Sequence, residues 1–200
     1  CGKCAEVCPY NAISLNKEKK IPASVNTAAC SGCGTCAAEC KFDAIIMNHF
    51  TDDQINSQTD AMLVEEPESK IVVFACNWCS YAGADYAGVS RFQYPPNARL
   101  IRTMCSGRVD EKFIMRAFEK GAPVVLVSGC HIGDCHYIDA NKWTEKRIIK
   151  LQGKLEKIGI RPERLQLEWI SAAEGMRFAD VMRQMEDLRK SVSSEEIAET

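Results

Sequence analysis

Cys30-Ser-Gly-Cys33-Gly-Thr-Cys36-Ala-Ala-Glu-Cys40 sets four thiols at the spacing C-x2-C-x2-C-x3-C. At that spacing a tight loop delivers three thiolates to one iron-sulfur cube and sends the fourth elsewhere. Thirty-two residues earlier, Cys1, Cys4 and Cys8 repeat Cys33, Cys36 and Cys40, and Cys8-Pro-Tyr-Asn-Ala-Ile matches Cys40-Lys-Phe-Asp-Ala-Ile. The segment is therefore a duplicated half. By the same subtraction Cys30 should have a counterpart before Cys1, with two residues between them, so the numbering is expected to begin inside the first motif, with one ligand upstream.

Over residues 1 to 47 these motifs resemble the bacterial two-cluster [4Fe-4S] ferredoxins. The resemblance implies an α+β domain with crossed ligation. Cys1, Cys4 and Cys40, with the upstream cysteine, would hold cluster I, and Cys30, Cys33, Cys36 and Cys8 would hold cluster II. Lys41 stands where the pattern has the proline that Pro9 supplies in the first motif. A zinc site is the rival reading, but zinc knuckles are paired C-x2-C units with a longer gap. So short a segment cannot bury enough apolar surface to fold alone, and the clusters are expected to hold Ile13, Leu15, Val25, Ile45 and Ile46 together.

Composition closes off other classes. A net charge of -2, with both signs mixed along 200 residues, offers no basic stripe for nucleic acid. No apolar run approaches the roughly 20 residues that cross a bilayer, so direct membrane insertion is not expected. Twelve cysteines in a chain with long amphipathic segments indicate metal in a reducing cytoplasm rather than a secreted disulfide scaffold. There is no G-x-G-x-x-G after a strand, no Walker loop and no recognisable Ser, His, Asp arrangement.

The polar stretch 51–69 reads as a linker, with Thr51-Asp52-Asp53-Gln54 a helix start and Glu65-Glu66-Pro67-Glu68-Ser69 a stop. This divides the chain into a ferredoxin domain at 1–50, the linker, a second domain at 70–190 and an acidic tail at 191–200. His49 has no partner at ligand spacing and reads as an ordinary surface or packing residue rather than a ligand. In the second domain, strands are expected over 70–75, 99–103, 123–128 and 164–170. Helical faces carry Phe113, Ile114, Ala117 and Phe118 up to Gly121, and Ile148, Ile149, Leu151, Leu155 and Ile158 up to Gly159. A last helix opens on the box Ser171-Ala-Ala-Glu174. This alternation predicts an α/β domain with a parallel, flavodoxin-like or Rossmann-like sheet, whose ligands collect beyond the carboxyl ends of the strands.

Cys76, Cys79, Cys105, Cys130 and Cys135 all fall at those ends. Four of five such thiols satisfy a [2Fe-2S] cluster, whose irons each take two ligands from different loops. Gly107 and Arg108, with helix starts near Cys79 and Ser106, are candidate donors to its sulfides. A thioredoxin-type dithiol at Cys76-Asn-Trp-Cys79 leaves three thiols unexplained. Zinc with mixed ligands from His131 and His136 is a further alternative. The stretch from Tyr81 to Pro96 reads as irregular and aromatic-rich, packing as a wall rather than covering the site or meeting a partner.

Cys76-Asn-Trp-Cys79-Ser-Tyr81, Thr103-Met-Cys105-Ser-Gly-Arg108-Val-Asp110 and Gly129-Cys130-His131-Ile-Gly133-Asp134-Cys135-His136-Tyr137 together resemble the methyl-viologen-reducing hydrogenase delta subunit family over residues 70 to 190. The ferredoxin motifs with His49-Phe-Thr-Asp-Asp-Gln-Ile55 are similar to the carboxyl end of the heterodisulfide reductase flavin subunit. The resemblance implies a fused electron relay of an anaerobe, as in methanogenesis, possessing two [4Fe-4S] clusters and one [2Fe-2S] cluster. It would receive electrons from a hydrogenase or formate dehydrogenase in a flavin-based bifurcating complex. Its FAD would lie upstream of Cys1 or on a partner. The alternative assembly is a quinone-interacting membrane-bound oxidoreductase of sulfate reducers.

Overall fold

Strands β3 (Ile71–Cys76) and β5 (Val124–Gly129) are apolar almost throughout and wholly buried, the signature of strands covered on both faces. In the computed structural model of the chain they form the centre of a sheet whose edges are β4 (Ala98–Thr103) and β6 (Leu165–Trp169). The strand order is β4-β3-β5-β6. All three pairings are parallel, with Ile71 opposite both Ala98 and Val124, and Val125 opposite Leu165. The chain leaves β3 for one side and returns to the other, which opens a crevice beyond the carboxyl ends of β3 and β5. The structure describes every residue except Lys17, Lys19, Lys20, Glu199 and Thr200, so the end of the expected acidic tail lies outside it.

Side chains of the two central strands alternate between two cores. Val72, Phe74, Val125 and Val127 pack with α3 (Asp52–Met62), α5 (Glu111–Glu119) and α6 (Ala140–Lys157). Ile71, Val73, Ala75, Val124 and Leu126 pack with α4 (Ser80–Val89) and α7 (Gly175–Lys190). α3 occupies most of the stretch that reads as a linker. Its Thr51 capping box forms as the sequence predicts, and Ile55 is fully buried in the first core. α5 and α6 close on Gly121 and Gly159, both with left-handed φ.

Two local expectations change. A helix starts beside Cys79 as expected, and it runs over residues 80–89, part of the stretch that reads as irregular. Gly83 and Gly88 hide it from propensity rules, but Gly83 is a packing requirement, because a Cβ there would sit 2.7 Å from the Ser171 carbonyl oxygen. Gly175 answers it on α7, where a Cβ would come within 2.8 Å of the Ala87 amide nitrogen. The Ser171–Glu174 pair closes a turn ahead of α7 instead of capping it: Glu174 accepts from the Ser171 amide at 2.7 Å, and the helix starts at Gly175.

The N-terminal segment comprises α1 (Lys3–Glu6), α2 (Thr35–Ala38) and an antiparallel pair, β1 (Ile13–Asn16) with β2 (Ile21–Val25). The repeat is visible in the backbone, since each short helix follows a left-handed glycine, Gly2 at φ 91° and Gly34 at φ 80°. Val7, Ala12, Ile13 and Ala37 are buried. Val25 and Ile46 are exposed to solvent, yet both line the cavity that Cys1, Cys4 and Cys40 share. A final helix, α8 (Ser194–Ala198), lies within the tail. No helix among the described residues is long and apolar enough to cross a membrane.

Candidate metal centres

The crevice at the sheet's carboxyl edge gathers the five thiols as expected. Cys76 ends β3, Cys79 precedes α4, Cys105 lies just past β4, Cys130 follows β5, and Cys135 is in the loop before α6. Cys76, Cys105 and Cys130 are buried, and Cys79 and Cys135 partly so. The sulfurs of Cys76 and Cys130 stand 3.8 Å apart. Two thiolates on one tetrahedral metal with bonds of about 2.3 Å are separated by roughly that distance.

The five thiols are close enough to shift one another. Cys105 and Cys130 beside Cys76 bring it down to about 3, and the same two neighbours hold Cys135 far below a free thiol. Cys135 and Cys76 in turn push Cys105 and Cys130 up. Cys79 is lowered by its neighbour Cys130. Backbone amides complete the cradle: Cys79 and Trp78 serve Cys76, Tyr137 and Asn141 serve Cys135, Ala172 serves Cys79, and the Gly107 N–H reaches Cys105 at 3.4 Å. Amides aimed at sulfur stabilise thiolates, so the donor set fits an iron-sulfur centre.

The two imidazoles have partners of their own. His131 pairs with Glu174 at 2.6 Å, and His136 stacks on Trp78 with centroids 4.0 Å apart. Among the described residues no three His, Cys, Asp or Glu side chains converge on one ion. A cluster does not need that convergence, because its ligands are shared among several irons. Of the expected donors, Gly107 serves the crevice, whereas Arg108 does not. Arg108 lies in a single 3-10 turn and sends its Nε and Nη2 to the Phe50 carbonyl and Asp52.

On the N-terminal side, burial raises Cys36 to about 12, with Cys33, Cys30 and Cys8 adding to it, and burial likewise raises Cys33, beside Cys8 and Cys30. Cys8 therefore keeps company with the second motif. Conversely, Cys40 shares a cavity of about 580 Å³ with Cys1 and Cys4, walled by Leu15, Ile21 and Ile45. His49 is exposed, as expected of a surface residue.

The two thiol-rich regions meet. Cys105, Tyr137 and Ala140 pack with Tyr10, Cys33, Met104 and Cys135 in one small apolar cluster. Trp78 braces it, donating from Nε1 to the Tyr137 hydroxyl at 3.0 Å. Nearby, Arg147 of α6 is buried, donating to Glu39 at 2.8 Å and to the carbonyls of Val109 and Gly107. Lys112 adds contacts to Asp43 and Asp52, both at 2.5 Å. Sequence reasoning missed Tyr10, Tyr137 and Arg147, since each acts through a contact more than 35 residues away. Only the aromatic at Tyr137 beside a cysteine loop offered a local signal.

Fold and thiol placement define a cysteine-rich α/β protein that carries a duplicated four-cysteine segment. Residues 71–191 match the family described as methyl-viologen-reducing hydrogenase, delta subunit, and the chain belongs to that family. Residues 1–44 match a 4Fe-4S dicluster domain. The chain is 49% identical over 130 residues to the vhc iron-sulfur subunit of the F420-non-reducing hydrogenase of Methanococcus voltae, covering 65% of this chain and 90% of that one. It is also 49% identical over 122 residues to the iron-sulfur subunit of the F420-non-reducing hydrogenase of Archaeoglobus profundus, covering 61% and 89%. Against a ferredoxin:CoB-CoM heterodisulfide reductase subunit of Methanosarcina mazei it is 44% identical over 183 residues, 91% of this chain but only 23% of that protein.

Proposed function

We propose that the chain is the electron-relay portion of a heterodisulfide reductase and hydrogenase-type complex. In this reading Cys1, Cys4 and Cys40 hold one [4Fe-4S] cluster with an upstream cysteine, and Cys8, Cys30, Cys33 and Cys36 hold a second. Cys76, Cys105, Cys130 and Cys135 hold a [2Fe-2S] cluster, and Cys79 is the spare thiol. When bound, these groups supply one-electron donors and acceptors. The residues of the chain set their distance, charge and solvent exposure.

The observation that carries the reading is the packing of Cys33 with Cys105 and Cys135 around Tyr10 and Tyr137. It makes one ligand set adjoin another, and the aromatic rings keep water from between them. Electrons from a hydrogenase or formate dehydrogenase would enter at the crevice and leave through the duplicated segment, or travel in reverse, in a cytoplasmic flavin-based bifurcating assembly. The FAD belongs to the remainder of a longer reductase-type chain or to a partner. The strand order, with β4 and β5 flanking β3, supports a flavodoxin-like sheet, and the glycine-led pair of short helices supports a ferredoxin fold.

The test is replacement of each crevice thiol by serine in the anaerobically prepared parent protein, read by iron, acid-labile sulfide and EPR. Loss of the [2Fe-2S] signal at Cys76, Cys105, Cys130 and Cys135, with retention at Cys79, is expected. Retention at all five would remove the cluster from the crevice.

A further inference from the structure

Arg108 is 1% exposed, one of the largest fully buried side chains of the molecule, and it carries a charge. Its stem lies against the cysteine turn of the second motif, because a Cβ on Gly34 would stand 2.6 Å from Arg108 Cδ and 3.1 Å from its Cβ. Gly107 presses on the same turn from the other side, at the Thr35 hydroxyl that accepts from the Cys33 thiol. The guanidinium lies over the Phe113 ring at 4.7 Å, and its Nη1 is buried with no hydrogen-bond partner among the described residues. Asp52 is its counter-ion, but that carboxylate is 40% exposed and is shared with Lys112. Water and Lys112 therefore screen the negative partner, while the positive one remains in a low-dielectric setting.

A buried guanidinium with an unmatched N–H is costly. Adding an electron to a neighbouring cluster makes that cluster more negative, and a fixed cation beside it stabilises the reduced form. We propose that Arg108 raises the reduction potential of the cubane held by Cys8, Cys30, Cys33 and Cys36. The inference rests on the cluster assignment proposed above. The electron is supplied in the test by dithionite and in the complex by the crevice centre.

The experiment is an EPR-monitored redox titration of the anaerobic parent protein against R108M, R108K and D52N, with iron and sulfide measured on each sample. In R108M at full iron content, the reduced-to-oxidised ratio of one cubane at a fixed potential should fall about tenfold, which is about 59 mV for one electron. The other cubane should stay in place, R108K should lie near the wild type, and D52N should move the same cubane the opposite way. If R108M does not assemble, D52N decides. Full iron with neither cubane displaced in R108M and D52N overturns the proposal. Wild-type protein lacking one cubane's worth of iron overturns the cluster assignment instead.

Discussion

The sulfurs of Cys76 and Cys130 lie 3.8 Å apart across 54 residues of chain, one at the end of β3 and the other just past β5. The pair exists because adjacent parallel strands end in register, Ala75 opposite Ser128. A thioredoxin-type reading would pair Cys76 with Cys79. In the structure the Cys76 sulfur stands 3.8 Å from that of Cys130, and Cys105 and Cys130 are the neighbours that lower it most. C79S should therefore keep the visible and EPR spectra of the crevice centre nearly unchanged, whereas C130S should abolish them. Abolition by C79S would make Cys79 a ligand and one of the other four thiols the spare.

Crossing of the two motifs makes a separate prediction. Cys8 lies among Cys30, Cys33 and Cys36 although its own motif is the first. C8S should remove about four irons per chain and the EPR signal of the cubane assigned to the second motif. A second-motif cubane that survives C8S shows the ligation to be uncrossed.

Arg147 joins the two thiol regions. Its buried guanidinium is paired with Glu39 in the second motif and with two carbonyls beside Cys105. Breaking a buried pair leaves the partner unmatched, and because the Glu39 side chain is 18% exposed the cost falls at about 2–3 kcal/mol. R147M should show that loss in anaerobic denaturation. A change below about 0.5 kcal/mol would mean that the regions are held together by other contacts.

Glu186 ties α7 to the start of β4. It accepts from Arg189 at 2.7 Å and from Asn97 at 2.7 Å. Arg189 in the first place holds its carboxyl down to about 2 from an ordinary 4.5, against a smaller push from burial. A depressed carboxyl adds stability that is complete above its unfolded value and is lost as pH falls through the folded one. Wild type should exceed E186Q by about 0.5–1 kcal/mol at neutral pH. That margin should shrink below pH 4.5 and be nearly gone at about 2. A margin that grows on acidification reverses the sign and contradicts the assignment.

The four strands, the two glycine stops and the rim placement of all five thiols were legible because they depend on local periodicity and on a rule of parallel sheets. α4 was legible only at its start beside Cys79, because Gly83, required by the contact with Ser171, obscures the helix that follows. The role of α3 was half legible: its capping box is local, but the burial of Ile55 depends on α5. Arg108 read as a donor to the crevice because sequence places it three residues after Cys105. The 3-10 turn carries its side chain towards Gly34 and Asp52 instead. The contact of Cys33 with Cys105 spans two compositionally different regions, and no spacing rule reaches that far.

Metal analysis of the anaerobically isolated parent protein tests the central claim most directly. The account requires about ten irons per chain, with acid-labile sulfide to match, and EPR signals from two cubanes and one binuclear centre on reduction. Zinc in place of iron at the crevice, or protein without labile sulfide, would contradict it.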